Sequence, residues 1–121
     1  MFKISMATKE QLPQVLDYLG FETNAFVMGC YEEGSLTGAV AFDIIDGSGV
    51  ILSLKTQETQ MQQVVLSAAL NFLDLNGIET VYSCQEGRLY SMMRFEKSRD
   101  KRYKMELSLP GYFSCEGRHE G

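Results

Sequence analysis

Between residues 25 and 84 the hydrophobic pattern changes period twice, and no other feature limits the fold as strongly. Ala25–Tyr31 and Leu36–Ile45 read as two strands, joined by Glu32-Glu33-Gly34-Ser35, which supplies the polarity and the glycine of a hairpin connection. Asp46-Gly47-Ser48-Gly49 makes a second turn into Val50–Leu54, a strand apolar enough to be central. From Gln62 to Asn76 the period becomes helical, with Val65, Leu66, Ala69, Leu70 and Leu73 on one face, and Asn76-Gly77 ends it. Ile78–Cys84 returns to a strand. A strand reached from another through a helix lies parallel to it, because the helix carries the chain back along the sheet. An antiparallel meander followed by one βαβ crossover is therefore expected.

The flanks extend this pattern. Phe2–Ala7 sets Phe2, Ile4 and Met6 against Lys3 and Ser5, a half-buried strand. Thr8 followed by Gln11 is a capping-box signature. Leu12, Val15, Leu16 and Leu19 then form one apolar helix face, Pro13 sits near the tolerant first turn, and Gly20 stops the helix. A short helix over Arg88–Met93 leads to a last strand over Arg102–Leu109, closed by the turn Leu109-Pro110-Gly111-Tyr112. The order β-α-β-β-β-α-β-α-β is α+β, with a mixed, mostly antiparallel sheet and flanking helices. With 121 residues and neither repeat nor linker, the chain reads as one domain over 1–121.

Composition removes several functions. A net charge of −5 and a pI near 4.8 argue against a general nucleic-acid binder. No apolar run reaches the roughly 18 residues of a membrane span, and the opening Met-Phe-Lys-Ile-Ser-Met is too polar for a secretory signal, so a cytoplasmic location is expected. Cys30, Cys84 and Cys115 are widely spaced, with His119 the only histidine, so no metal site is expected. Cys30 and Cys84 read as reduced, buried thiols. A thiol enzyme centred on Cys84 would rest on position alone.

In an open sheet with a crossover, ligands gather where parallel strands end and the next helix begins. Here that is the end of Val50–Leu54, the loop Lys55–Met61 and the helix start at Gln62, faced by the end of Ile78–Cys84 and the helix carrying Tyr90. The segment Leu89-Tyr90-Ser91-Met92-Met93-Arg94-Phe95-Glu96, followed by Tyr103-Lys104-Met105-Glu106-Leu107, resembles the closing motif of the GNAT superfamily of N-acetyltransferases. That motif reads Leu-Tyr, three residues, Gly-Phe-Glu, a variable hairpin, then a strand with Met. Ile4 through Ala7-Thr8 to Gln11-Leu12-Pro13 is similar to the family's opening strand and helix. The family's usual second helix has only Gly20–Asn24 available, so it is reduced or missing.

The resemblance implies a GNAT-like acyl-CoA N-acyltransferase fold and acetyl-CoA as co-substrate. It places the thioester oxygen near the backbone of Leu54 and the pyrophosphate on Gln62, Gln63, Val64, Val65, Leu66 and Ser67. The family's phosphate motif is Arg or Gln, two residues, Gly, one residue, Gly or Ala; here Val65 takes the place of the central glycine. Val65→Gly is then expected to tighten acetyl-CoA binding, since glycine lets backbone amides approach phosphate. Tyr90 matches the tyrosine that in many members protonates the leaving thiolate, a role its phenol pKa suits; by itself it also reads as a half-buried anchor of the short helix. Arg94 stands where the family has glycine.

A general base is not assigned: Glu32, Glu33, Asp43, Glu58 and Glu79 read as surface charges. The window Arg94–Lys104 holds six of the eleven basic residues against two acids, +4 locally and −9 over the remainder. It reads either as an electrostatic patch for phosphates or an acidic partner, or as a solvated hairpin. Two functions follow: an N-acetyltransferase acting by direct transfer on a small-molecule or peptide amine, or a non-catalytic binding module on the same scaffold. A second copy of the chain is a candidate partner, through the last strand or an apolar surface; nucleic acid and membrane are not.

Overall fold

The computed structural model describes residues 2–113, so Cys115 and His119 lie outside the described residues. Seven strands and three helices follow in the order β1 (Phe2–Met6), α1 (Leu12–Leu19), β2 (Phe26–Glu32), β3 (Ser35–Ile45), β4 (Ser48–Thr56), α2 (Met61–Leu75), β5 (Thr80–Ser83), α3 (Arg88–Met92), β6 (Glu96–Lys97) and β7 (Met105–Ser108). They make one sheet in the spatial order β1-β2-β3-β4-β5-β7-β6. The only parallel pair among the described strands is β4–β5, across the crossover that the change of period requires. Two corrections fall at the C-terminal end. The strand expected over Arg102–Leu109 is shorter, and a two-residue strand, β6, pairs with it through Glu96↔Glu106 and Lys97↔Met105. The charged run between them masks both edges, because too few apolar residues alternate there to mark a strand.

Local chemistry explains the meander. The β2–β3 and β3–β4 connections are two-residue turns, Glu33-Gly34 and Asp46-Gly47, with positive φ at all four residues (49°, 85°, 53° and 82°). That is the geometry a tight hairpin needs to match strand twist, and glycine supplies half of it without strain. At the start of α1 the capping box is closed: Thr8 Oγ1 accepts from the Gln11 N–H at 3.2 Å, and Gln11 Oε1 accepts from the Thr8 N–H at 3.0 Å. Thr8→Ala is expected to lower stability by about 1 kcal/mol, measured as a shift of the urea midpoint at constant slope; an unshifted midpoint would show that the cap contributes nothing.

The two faces of the sheet are covered unequally. On one, α2 and α3 bury Val65, Leu66, Ala69, Leu70, Leu73, Tyr90 and Met93 against Val40, Phe42, Ile51 and Val81. On the other, α1 packs Val15, with Leu12 and Leu16, against Val27, Ala39 and Ala41. Residues 20–25 run from α1 to β2 without a helix, so the shortened segment expected from the sequence is what the fold contains.

Candidate active site

The site arises from a mismatch in strand length. β4 pairs with β3 along its whole course, from Ile45↔Ser48 to Gly38↔Thr56. Against β5 it pairs only over Gly49–Ile51, and the ladder ends on the bond from the Cys84 N–H to the Ile51 carbonyl at 3.0 Å. The β3–β4 register skips Leu52, since Ala41 faces Ser53 and Phe42 faces Ile51. Such an extra residue bends a strand, and it sits at the level where β5 stops. Among the described residues no backbone bond joins Leu52–Thr56 to β5. The gap is a cleft of about 330 Å³ lined by Leu54 and Gln62 on one wall and by Gln85, Arg88, Leu89 and Tyr90 on the other. A larger depression of about 630 Å³ lies along α1 around Leu16 and Phe21 and shares no lining residue with the cleft.

The helix start on the cleft wall is set by a tight turn. The Met61 N–H donates to the Glu58 carbonyl at 3.0 Å and the Gln62 N–H to the Thr59 carbonyl at 3.1 Å. Only the first four N–H groups of a helix lack an intrahelical acceptor, and this turn uses two of them. Gln63 and Val64 are the first-turn donors that remain. Val65 is the fifth helical residue, and its N–H has the Met61 carbonyl to bond within the helix.

Of the residues singled out in the sequence, the structure therefore brings together Leu54, Gln62 and Tyr90, with Gln63 and Val64 in the same first turn. Val65 and Leu66 are fully buried in the core. A Cβ added to Gly38 of β3 would lie 3.4 Å from Val65 Cγ2, so the valine is packed on the sheet. Ser67 is half-buried in the second turn. Helical periodicity does not mark the residue at which a helix's amides become free; here the turn Gln57–Gln60 leads into the first turn of α2.

Tyr90 is 3% exposed, packed edge-on against Phe95 with ring centroids 5.2 Å apart. Its hydroxyl donates to Gln85 Oε1 at 3.0 Å. Burial pushes the phenol above the ordinary tyrosine range; hydrogen bonding with Ser83 pulls it down and the neighbouring Cys84 thiol adds to the rise. The group therefore stays protonated at neutral pH and can give a proton. Gln85 is in turn held by Ser83, whose Oγ donates to the Gln85 carbonyl at 2.8 Å and accepts from its N–H at 2.9 Å. Sequence reasoning missed Gln85 and Arg88, because loop glutamines and arginines carry no pattern until the fold sets them beside the tyrosine.

Cys84 is exposed, which corrects the expectation of a buried thiol; Cys30 is buried. Desolvation pushes the Cys84 thiol up, away from the thiolate a cysteine nucleophile needs. Among the described residues no group of three or more His, Cys, Asp or Glu could hold a metal ion, and no helix is long and apolar enough to cross a membrane.

The basic window is an ordered loop with part of its charge paired. Arg99 bonds Glu106 at 3.0 Å, and Arg102 bonds Asp100 at 2.8 Å. Arg94 lies over the Tyr112 ring, 4.9 Å from its centroid, with φ at +71°, the left-handed region that favours the glycine of the resembled motif. Arg102, through its side-chain bond first, lowers the Asp100 carboxyl from 3.8 to about 2. A depressed carboxylate stabilises the fold above its unfolded pKa and loses that contribution as pH falls through the folded value. Arg102→Gln should return the Asp100 midpoint to near 3.8 in a carboxyl-carbon NMR titration. A midpoint still near 2 would assign the shift to another cause.

No family model matches the chain, and no curated protein matches it by sequence. Solved structures do. The ribosomal-protein-S18-alanine N-acetyltransferase of Escherichia coli superposes with a TM-score of 0.73 at 12% identity, over 90% of this chain and 94% of that one. A GNAT family acetyltransferase from Brucella melitensis, in complex with acetyl-CoA, gives 0.70 at 11% identity, over 89% and 88%. The N-acetylglutamate synthase of Neisseria gonorrhoeae, complexed with coenzyme A and N-acetyl-glutamate, gives 0.74 at 12% identity, over 90% of this chain and 35% of that one.

The chain has the GNAT fold. At these identities the superposition establishes architecture, and activity is argued separately from the cleft. Within that fold, the splay of β4 from β5 and the start of α2 form one side of the cleft, and the α3 tyrosine forms the other.

Proposed function

We propose that this GNAT-fold chain is an acetyl-CoA-dependent N-acetyltransferase that transfers the acetyl group directly to an amine. The observation that carries the reading is the cleft itself. An unpaired stretch of β4 ending at Leu54, a helix start with two donors in reserve, and a buried protonated phenol converge on one opening. The chemistry of these groups fits the co-substrate. Backbone amides at Gln63 and Val64 suit a pyrophosphate, the free edge of β4 near Leu54 suits a thioester carbonyl, and Tyr90 suits protonation of the departing thiolate. Acetyl-CoA would supply the activated acyl group; as the amine nitrogen bonds the acetyl carbon and the C–S bond breaks, Tyr90 protonates the leaving sulfur and the proton shed by the amine restores the phenol.

A second reading rests on a specific observation. The turn Gln57–Gln60 contains no glycine and carries exposed Glu58, whose carboxylate accepts from Gln60 Nε2 at 3.1 Å. A negative charge beside a pyrophosphate opposes its binding, which favours a binding module without efficient acetyl-CoA affinity. Calorimetric titration with acetyl-CoA, with free and desulfo-coenzyme A as controls, separates the two. A Kd near micromolar, about −8 kcal/mol, supports the enzyme. No heat up to millimolar ligand overturns it in favour of the module.

A further inference from the structure

A recess of about 880 Å³ lies between α3 and the loop that joins β6 to β7, and it shares Glu86 with the wall of the cleft. Lys97, Arg99, Lys101 and Lys104 line it, against the acids Glu86 and Glu96. In a chain whose net charge is −5, a concave surface with this sign runs against the overall field.

The pairing within the loop decides which cations are available. Arg99 is bound to Glu106, and Lys104 Nζ lies 3.8 Å from Glu86. Lys97 and Lys101 are exposed and have no ion-pair partner among the described residues. The loop that presents them is held at several points. Ser98 Oγ accepts from the Asp100 N–H at 3.0 Å, the Ser98 N–H donates to the Lys104 carbonyl at 3.1 Å, and the Lys104 N–H donates to the Ser83 carbonyl at 2.9 Å. The loop's own acid, Asp100, is engaged by Arg102. The acids and arginines thus shape the loop, while two lysines are left facing a recess.

We propose that Lys97 and Lys101 form an anion-recognition site for a carboxylate or phosphate carried by the ligand that fills the adjoining cleft. Lysine is a compact, strongly hydrated point charge on a long stem, suited to attracting an anionic group without fixing one geometry. The site makes the chain selective for an anionic ligand despite its acidic surface. Which end of that ligand reacts rests on the acetyl-transfer reading; the anion site does not.

The test uses the whole chain as wild type, as Lys97→Gln/Lys101→Gln, and as the charge-matched control Lys3→Gln/Lys9→Gln, whose residues lie on β1 and before α1. Each is titrated with glutarate, acetyl-CoA and 3′-dephospho-acetyl-CoA by amide NMR and calorimetry. The expected result is saturable glutarate binding with shifts confined to residues 97–104, weakened about tenfold in the double variant and unchanged in the control, in line with two partly exposed ion contacts. If instead acetyl-CoA binding falls tenfold and the dephospho analogue is insensitive, the anion held is the carrier's phosphate. If the double variant binds every ligand within twofold of wild type, or wild type binds none, the site is overturned. Failure of the acetyl-transfer reading is separate: wild type would then respond to glutarate and ignore acetyl-CoA.

Discussion

Tyr90→Phe is expected to lower turnover by about 10²–10⁴-fold while leaving acetyl-CoA affinity within about twofold. The phenol lines the cleft, and its burial keeps it protonated at neutral pH. Removing its oxygen deletes the bond to Gln85 and leaves the ring against Phe95. That bond contributes about 1 kcal/mol, and a urea titration of the variant separates lost folding from lost chemistry. Steady-state kinetics on an amine that supports turnover, with calorimetry for binding, give the two numbers. An unchanged kcat would reduce Tyr90 to an anchor of α3. Because burial raises the phenol, kcat of the wild type should show no falling limb from Tyr90 up to its ordinary value near 10.

Val65→Gly is the second large effect, and here sequence and structure make opposite predictions. Read as the place of a motif glycine, Val65 obstructs phosphate, and its removal should tighten binding. In the fold it is fully buried on α2 against β3. Deleting the side chain removes about 2–3 kcal/mol of burial and packing, and glycine in a helix interior costs about 1 kcal/mol more. A loss of about 3–4 kcal/mol in urea unfolding is therefore expected, with acetyl-CoA affinity of the folded fraction unimproved. Unaltered stability together with tighter binding would restore the motif reading and move the phosphate site into the second turn of α2.

Each element the sequence made legible has a local cause. Short apolar runs over residues 25–54, bounded by polar and glycine-containing turns, dictate strands, and Glu33-Gly34 and Asp46-Gly47 turn the chain within two residues. The five apolar positions from Val65 to Leu73 recur at helical spacing and all end in the core. Thr8 and Gln11 close the cap that their spacing predicts. A helix between two strands forces the parallel pair. These are short-range or periodic signals, and a single chain carries them in full.

What the sequence could not supply is relative placement. It carries no sign that β5 stops at Ser83 while β4 continues to Thr56, or that Leu52 is skipped in the register; strand ends depend on partners distant in the chain. The cleft exists because of that difference. The same holds for Gln85, which has no neighbour of note in sequence and yet meets the Tyr90 hydroxyl at 3.0 Å. It holds for the charge run, whose local +4 says nothing of which cations are paired. Composition and periodicity determined which segments would be helix or strand and which faces would be buried, because burial of apolar area is the main driving force of folding and is written residue by residue. The tertiary structure alone decided where strands part, which amides remain unbonded and which lysines stay free, because each depends on what a distant segment has already satisfied.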